Sequence, residues 1–243
     1  MTSPIPSNAS PSFPLEYNIS FHKMVEIDES IPINVHMFYF EEMGLKNAVK
    51  QCYVREEVLD RLLNVQKKLP DGIKICILDT WRPLKLQQEL YDFYSKDIIK
   101  KYHLESMDPV DKQKFISQFV SIPVFDEMRA PVHTTGGAVD LTLINTDEKP
   151  LNMGTDFDDF SEKANTDYYE RHFDQEITKN RRLLYNAMIN EGFTNIPSEW
   201  WHYDYRDSYW GFYKEKPPFY GGFFDLEILE KTNNSYISRD FCG

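Results

Sequence analysis

The segment Ala138–Ile144 has the pattern of a β-strand whose apolar run is interrupted by one carboxylate, Asp140. Alternate side chains of a strand share a face, so Asp140 and Thr142 lie on one face and the apolar residues between and around them on the other. A carboxylate in a core strand is costly unless it is paired or bound to a metal. The fold must therefore supply a partner for Asp140, or leave it at a strand edge, hydrogen-bonded to loop amides.

Two histidines elsewhere in the chain are candidate partners for Asp140. His133 precedes a Gly-Gly turn signal that can return it to the strand, and His202 follows a Trp-Trp pair. Together the three form a two-histidine, one-carboxylate set, which leaves the fourth position of zinc for water, as catalytic sites require. Taken alone, each segment is also typical of an ordinary core strand, and other divalent metals can use the same donors.

Glu199, Arg82 and Asp158 are candidates for the remaining parts of a hydrolytic site. Glu199 can move a proton from water to a leaving amine, provided that the chain bends so that it converges with His202. Arg82 stays charged and can hold an oxyanion or a carboxylate, although a surface arginine paired with an acid is commoner. Asp158 follows a glycine turn and either binds a substrate ammonium or belongs to a solvated acidic loop.

The charge of the chain bears on its partners. The formal net charge is −12, and an acidic chain lacks the basic footprint that phosphate contacts need. It is equally unsuited to an anionic membrane surface. Because the sequence has no run of about 18 apolar residues, no transmembrane helix is predicted. We expect neither nucleic acid nor a membrane as a partner, and nothing in the sequence specifies an oligomeric state.

The ends of the chain and its cysteines carry weaker signals. Residues 1–14 are rich in serine and proline and are predicted to form a flexible tail. They lack a cationic start and an apolar stretch, so a cytoplasmic location is expected, although a trimmed or machine-exported chain would begin in the same way.

Cys52, Cys76 and Cys242 have no CxxC spacing, which argues against a disulfide framework and a cysteine zinc knuckle.

Hydrophobic periodicity predicts helices and strands that do not alternate regularly. Helices are predicted over residues 55–68, from Pro83 to about residue 93, and over residues 111–119 and 176–190. Strands are predicted within residues 31–40, 73–78, 138–144, 193–196 and 200–205. The pattern indicates an α+β fold, with one domain over residues 15–243 and a small central antiparallel sheet flanked by helices.

Four motifs follow one another along the chain: Asp79-Thr80-Trp81-Arg82-Pro83, a His-x-x-Gly-x-Ala-x-Asp-Leu-Thr pattern from His133 to Thr142, Met153-Gly154-Thr155-Asp156-Phe157-Asp158, and Glu199-Trp200-Trp201-His202. In these motifs the chain resembles the D-alanyl-D-alanine dipeptidases, the group that includes the vancomycin-resistance dipeptidase. The resemblance covers about residues 30–205 and leaves a C-terminal extension over about residues 207–243.

The resemblance implies the fold of the zinc D,D-peptidases, which Hedgehog-type domains share, and hydrolysis of D-alanyl-D-alanine or a similar small dipeptide. It assigns zinc binding to His133, Asp140 and His202, the catalytic base and acid to Glu199, stabilisation of the tetrahedral intermediate to Arg82, and the substrate's free amino group to Asp158. Antibiotic resistance, cell-wall recycling and the use of the dipeptide as a nutrient would all need this same chemistry.

Three departures from the family pattern affect the substrate pocket rather than the metal set. Val132 stands where the family has a serine, Thr80-Trp81 replaces Gly-Tyr, and Met37 is expected where the family has a pocket tyrosine. These departures bear on the exact dipeptide that is preferred.

Other interpretations of the sequence predict a different substrate or no catalysis at all. A D,D-carboxypeptidase or peptidoglycan endopeptidase of the same fold would need an open cleft, whereas Asp158 and its acidic loop favour a closed site. A zinc-binding module without catalysis, on the pattern of signalling domains with this fold, would need neither Glu199 nor Arg82. The sequence therefore favours the dipeptidase.

Overall fold

The computed structural model describes residues 3–11, 23–127 and 129–231. Its strands are β1 (Met24–Glu26), β2 (Asn34–Val35), β3 (Tyr53–Arg55), β4 (Lys74–Asp79), β5 (Ala138–Ile144), β6 (Thr194–Asn195) and β7 (His202–Asp204). Five of them form one sheet in the order β2-β4-β5-β7-β6, and β1 pairs with β3 in a small second sheet. The predicted α+β class is confirmed.

The sequence predicted an antiparallel central sheet, but one pair of its strands is parallel. Its pairs β4–β5, β5–β7 and β6–β7 are antiparallel, but β2 lies parallel to β4. Parallel neighbours need a long crossover connection. Here the connection between the two strands contains β3 and a long helix, α2 (Glu56–Lys68).

The remaining helices are α1 (Phe38–Glu41), α3 (Leu84–Lys101), α4 (Pro109–Ile116), α5 (Tyr168–Arg171), α6 (Gln175–Asn190) and α7 (Ser208–Lys214). Local signals explain where several begin. Asp108 caps α4 by accepting hydrogen bonds from two backbone amides, and Pro109 occupies the first helical position. Asp174 caps α6 in the same way. All four predicted helices are present, and their ends differ by at most three residues except that α3 continues to Lys101, about eight residues beyond the predicted end.

The predicted strand within residues 31–40 is shorter than the apolar run suggested. Only β2 is extended, and α1 follows it almost at once. The Glu41 carboxylate accepts a hydrogen bond from the Met37 amide at 2.9 Å, which closes a helical turn at this point. An apolar run of this length can be helix or strand, and here the local side-chain bond favours the helix.

Strand β5 lies in the middle of the sheet, and all seven of its residues are buried. Val139, Leu141 and Leu143 are fully buried in the main core, where Leu62 of α2 and Leu184 of α6 also lie. The opposite face carries Asp140, as the period-two pattern predicts. Among the described residues, no helix has both the length and the apolar character needed to cross a membrane.

Residues 3–11, which belong to the predicted flexible tail, lie against the domain. Ile5 is buried in the main core. Its amide donates to Glu170 Oε1 at 3.2 Å, and the Tyr213 hydroxyl donates to the carbonyl oxygen of Ala9 at 2.8 Å. The segment packs because an apolar side chain within the serine-rich stretch enters the core. The rest of the predicted tail, residues 1–2 and 12–14, is outside the described residues.

Candidate metal centre and active site

His133 belongs to a single 3-10 turn, Val132–Thr135, that precedes β5. The turn ends at Gly136, whose φ of +71° lies in the left-handed region that favours glycine. A Cβ atom at this position would also lie 2.3 Å from the side chain of Met24. The left-handed backbone conformation explains the glycine, and the turn brings His133 beside the first residues of β5.

Asp140 and His202 face each other across two neighbouring strands. They are direct partners in the antiparallel pairing of β5 and β7, where opposite side chains lie close together. His202 Nδ1 is 2.9 Å from Asp140 Oδ1 and 3.2 Å from His133 Nε2. The three predicted metal ligands therefore converge, and they are the one group with metal-ligand spacing among the described residues.

One donor atom from each of the three side chains lies within 4.8 Å of the other two, close enough for all three to bind one metal ion. Zinc–ligand bonds of about 2.0–2.2 Å in tetrahedral geometry place neighbouring donors about 3.3–3.6 Å apart. His202 Nδ1 lies 2.9 Å from Asp140 Oδ1 and 3.2 Å from His133 Nε2, and His133 Nε2 lies 3.3 Å from the other oxygen of Asp140, Oδ2. Nδ1 of His133 donates to the carbonyl oxygen of Thr80 at 2.7 Å, which leaves the Nε2 lone pair for a metal. All three side chains are buried. The residues present fit a zinc ion with one coordination position left over.

Glu199 lies beside the three metal ligands because the chain turns between it and His202. The Glu199 amide donates to the carbonyl oxygen of Ile196, and the His202 amide donates to that of Glu199, both at 3.4 Å. The segment before β7 is therefore a turn, as convergence demanded, and the strand predicted over residues 200–205 is shorter. Glu199 Oε2 lies 3.8 Å from His202 Nδ1, and the side chain is 22% exposed.

Two carboxyl groups in this cluster have pKa values shifted in opposite directions. Burial opposes ionisation of Asp140, but the charges and hydrogen bonds of His133 and His202 outweigh it and hold its pKa well below the usual range. Burial raises the pKa of Glu199 to about 8, with only partial opposition from His202. Such a pair is suited to one permanently ionised ligand and one group that exchanges a proton.

Arg82 lies just beyond the end of β4, as predicted, and it is 8% exposed. Its Nε donates to Asp79 Oδ2 at 2.5 Å, and its Nη1 donates to Gln87 Oε1 at 3.1 Å. Gln87 is also buried and donates from Nε2 to the carbonyl oxygen of Ser121 at 2.8 Å. A residue that sequence reasoning overlooked, Gln87, therefore connects the guanidinium to one wall of the cavity.

Asp158 lies on the same cavity and has a φ of +59°, an uncommon conformation for a residue other than glycine. Its Oδ2 accepts hydrogen bonds from the hydroxyls of Tyr39 at 2.6 Å and Tyr94 at 2.7 Å. Burial raises its pKa to about 6, and the two tyrosine hydrogen bonds and Arg82 oppose that rise. The carboxylate is thus held by two phenols instead of lying in a solvated loop.

The expectation that Met37 occupies a tyrosine's place in the pocket is wrong. Met37 is buried in the main core, whereas Tyr39 lines the cavity and bonds Asp158. The short helix α1 causes the difference, because it places Tyr39 on the cavity side, where its hydroxyl also lies 3.4 Å from Arg82 Nη2. A strand over these residues would have put Met37 and Tyr39 on the same face.

The other two departures from the family pattern have different surroundings. Trp81 is fully buried, contacts Tyr53 edge to face, and donates from Nε1 to the carbonyl oxygen of Phe223 at 2.8 Å. It therefore supports the fold and does not line the cavity. Val132 does line the cavity, beside His133. Of the three departures, only Val132 touches the space that a substrate would enter.

The described part of the C-terminal extension packs behind the metal cluster. The Phe223 amide donates to the carbonyl oxygen of Thr134 at 2.7 Å, and the Leu84 amide donates to that of Phe224 at 2.9 Å. Arg55 donates to the carbonyl oxygens of Thr135 and Gly221. The extension thus supports the turn that carries His133. Residues 232–243 are outside the described residues.

All six predicted site residues line one cavity of about 740 Å³. These residues are Arg82, His133, Asp140, Asp158, Glu199 and His202. Sequence reasoning missed six aromatic residues of the lining: Tyr39, Tyr94, Tyr102, Phe119, Phe160 and Tyr209. Tyrosine and phenylalanine are frequent throughout this chain, and no local motif marks these six.

Known proteins resemble the chain over most of its length. A family model described as D-ala-D-ala dipeptidase matches residues 40–217. The chain is similar to a D-alanyl-D-alanine dipeptidase of Synechocystis sp., with 28% identity over 199 residues, covering 74% of this chain and 80% of that protein. It is also similar to a D-alanyl-D-alanine dipeptidase of Enterococcus faecium, with 33% identity over 97 residues, covering 40% of this chain and 43% of that protein. A solved structure described as VanYB in complex with D-alanine-D-alanine gives a TM-score of 0.39 at 14% identity, covering 86% of this chain and 92% of that one.

Proposed function

The chain belongs to the D-ala-D-ala dipeptidase family of metallopeptidases, and on that basis we propose that it hydrolyses D-alanyl-D-alanine, or a similar D,D-dipeptide, with zinc as its cofactor. The observation that carries the proposal is the convergence of His133, Asp140 and His202, with Glu199 Oε2 only 3.8 Å from one of the ligand atoms. A structural zinc site would be closed by a fourth protein ligand, whereas three ligands beside an acid are typical of a catalytic site.

In this site, Glu199 handles the proton. Zinc, when bound, polarises the scissile carbonyl and makes water a stronger acid. Glu199 accepts the proton of the attacking water and delivers it to the amine of the leaving residue. Without metal, burial raises the pKa of Glu199 to about 8, and the charge of bound zinc would lower it towards the ionised form that accepts a proton. Its partial exposure to the cavity gives it access to the substrate.

Arg82 supplies fixed positive charge where negative charge develops. The guanidinium remains protonated at any working pH, and Asp79 and Gln87 hold it in one orientation. A donor that is positioned in advance stabilises a developing oxyanion without reorganising during the reaction. Arg82 would thus assist the attack on the carbonyl while leaving proton transfer to Glu199.

Asp158 would bind the free amino group of a dipeptide. Its carboxylate lines the cavity and, above its pKa of about 6, carries the charge that an ammonium group needs. Tyr39 and Tyr94 both donate to the same oxygen, so the carboxylate has a fixed direction. Recognition of a free amino group would favour dipeptides over longer chains whose amino group is acylated.

The size of the cavity favours one second candidate, a D,D-carboxypeptidase that acts on a longer peptide. A volume of about 740 Å³ falls within the range of pockets for drug-sized ligands, which exceeds what two alanines need. Glu199 and Arg82 would have the same roles in such an enzyme. The two functions differ in whether the substrate must offer a free amino group to Asp158.

The test is the release of free D-alanine by purified protein from D-alanyl-D-alanine and from a pentapeptide stem. Each substrate is assayed after chelation, after zinc add-back, and with Glu199→Ala. Zinc-dependent release from the dipeptide, lost in Glu199→Ala, would support the proposal. Release from the pentapeptide alone would favour the carboxypeptidase. No release from either substrate, with one zinc bound per chain, would overturn both proposals.

A further inference from the structure

Arg181 of α6 carries a buried charge that no acidic side chain balances. The residue is 2% exposed, and within residues 3–11, 23–127 and 129–231 its guanidinium pairs with no carboxylate. It donates instead to three carbonyl oxygens at 2.7 Å each: Nε to Met153, Nη1 to Asn165 and Nη2 to Lys163. A buried charge is costly unless it is well hydrogen-bonded, so these three backbone bonds make the burial of Arg181 possible.

The three acceptors lie at the two ends of one segment, residues 153–165. Met153 begins the segment, and Lys163 and Asn165 end it. One guanidinium therefore closes this segment into a loop, and Asp158 lies near the middle of the loop. Apart from one 3-10 turn, Glu162–Ala164, the loop has no helix or strand of its own. Its shape therefore depends on the bonds that anchor its ends.

Two aromatic rings lie against the Arg181 guanidinium and bind the same loop. Its Cζ is 5.0 Å from the centroid of the Tyr169 ring and 5.5 Å from that of the Trp200 ring. The Tyr169 hydroxyl donates to a carbonyl oxygen within the loop at 3.3 Å, and Trp200 Nε1 donates to Thr155 Oγ1 at 2.8 Å. Because Trp200 follows Glu199 in the chain, the loop and the turn that carries Glu199 share one support.

We propose that Arg181 is a positioning residue that, by closing this loop, fixes Asp158 relative to the metal centre and so sets the preference for substrates with a free amino group. The proposal rests on the proposed function, in which Asp158 binds that group. The attraction between a carboxylate and an ammonium group depends on their separation, so a loop that moves weakens it. Arg181 contacts neither Glu199 nor any of the three metal ligands, so its loss should affect substrate recognition more than zinc binding.

The experiment compares two variants of Arg181 with a matched control. Arg181→Met keeps an unbranched stem without the charge, and Arg181→Lys keeps the charge without the planar fork. The control is Arg182→Lys, since Arg182 is the next residue of α6 but pairs with Glu170 away from the cavity. Circular dichroism and zinc content confirm that each variant is folded and loaded with metal.

Two measurements are made on the zinc-loaded proteins. Hydrogen exchange followed by mass spectrometry reports how often the loop over residues 153–165 opens. Steady-state kinetics give kcat and KM for D-alanyl-D-alanine and for its N-acetylated form, which lacks the free amino group. The ratio of the two kcat/KM values measures the preference for a free amine.

We expect exchange of the loop amides to be about tenfold faster or more in Arg181→Met, because hydrogen bonds to a charged group are lost, and to be faster by less in Arg181→Lys. KM for the dipeptide should rise about tenfold in Arg181→Met while kcat stays within about threefold, since the bond that weakens is the one between Asp158 and the substrate. The acetylated form should be unaffected, so the preference for a free amine should fall. Arg182→Lys should match wild type in every measurement.

Two results would overturn the proposal. Wild-type exchange rates in the folded Arg181 variants would show that the guanidinium does not hold the loop, even in an active enzyme. Faster exchange with an unchanged preference for the free amine would show that the loop does not select the substrate. Wild-type protein that binds zinc but cleaves neither substrate would instead overturn the proposed function, and hydrogen exchange, which does not depend on hydrolysis, would still decide whether Arg181 holds the loop.

Discussion

Arg82 donates a hydrogen bond from Nη2 to Asp140 Oδ2 at 3.2 Å, although the two residues are 58 positions apart in the chain. The proposed oxyanion-stabilising group is thus bonded to a proposed metal ligand, and Asp79 binds the other side of the same guanidinium. The cation and the metal cluster form one buried unit. A change in the shape of either group should therefore affect the other.

The first prediction concerns the shape of the Arg82 side chain. Arg82→Lys keeps the positive charge but loses the planar fork that contacts Asp79, Gln87 and Asp140 together. We expect kcat for the dipeptide to fall by about 10²–10³-fold, the typical effect of removing one oxyanion donor. Steady-state kinetics would measure the change. Arg182→Lys is the control, because Arg182 pairs with Glu170 away from the cavity. A value within threefold of wild type would rule out the assigned role.

The second prediction concerns the pH dependence of substrate binding. Asp158 has a pKa of about 6, so its carboxylate loses its charge as the pH falls below that value. KM for the dipeptide should rise as pH falls, by up to about tenfold per unit, because a neutral carboxyl does not attract an ammonium group. In Asp158→Asn, KM should be high at every pH and show no such acid limb. An unchanged acid limb in this variant would assign the titration to another group.

The same shifted pKa has a consequence for stability. Because the pKa of Asp158 is raised in the folded protein, its contribution to stability is fully present below the unfolded value near 4 and is lost as pH rises through about 6. The Asp158→Asn variant has no ionisable group at this position. Its free energy of unfolding, minus that of wild type, should therefore be larger at pH 8 than at pH 4. Urea unfolding at both pH values would measure the difference. An equal difference at both would contradict the prediction.

The third prediction separates Tyr39 from Met37. Tyr39→Phe removes the hydroxyl that donates to Asp158, so kcat/KM for the dipeptide should fall by about tenfold, the effect of one hydrogen bond to a charged group. Met37→Leu conserves the volume of a buried side chain outside the cavity and should leave kcat/KM within about twofold. A larger kinetic effect from Met37→Leu than from Tyr39→Phe would show that the pocket is arranged differently.

The fourth prediction links metal binding to stability. A ligand that binds only the folded state stabilises it by about 4 kcal/mol when its concentration is a thousand times the dissociation constant. Zinc should therefore raise the melting temperature of chelator-treated protein, and the rise should be abolished in His133→Ala. Glu199→Gln should keep the rise while losing activity, because Glu199 lies beside the ligand cluster without being part of it. A loss of the zinc effect in Glu199→Gln would make Glu199 a ligand.

Several features were predictable because they depend on short stretches of chain. Strand β5, with Asp140 opposite an apolar face, follows from period-two alternation over seven residues. The turn after His133 follows from the two glycines, and the α+β class follows from the irregular order of helix and strand signals. Even the bend between Glu199 and His202 was required if both were to serve one metal site. Each inference used residues that are neighbours in the sequence or share a familiar donor chemistry.

The tertiary structure alone decided which residues surround the predicted metal ligands and catalytic side chains. Tyr39 bonds Asp158 across 119 positions of sequence, and Trp81 bonds the carbonyl oxygen of Phe223 across 142. No periodicity links such residues, because the packing of α1, the extension and the central sheet determines which side chains meet. The sequence by itself determined the donor types and the strand that carries one of them. Only the folded chain decided their neighbours, because contacts between distant residues depend on how whole elements pack together.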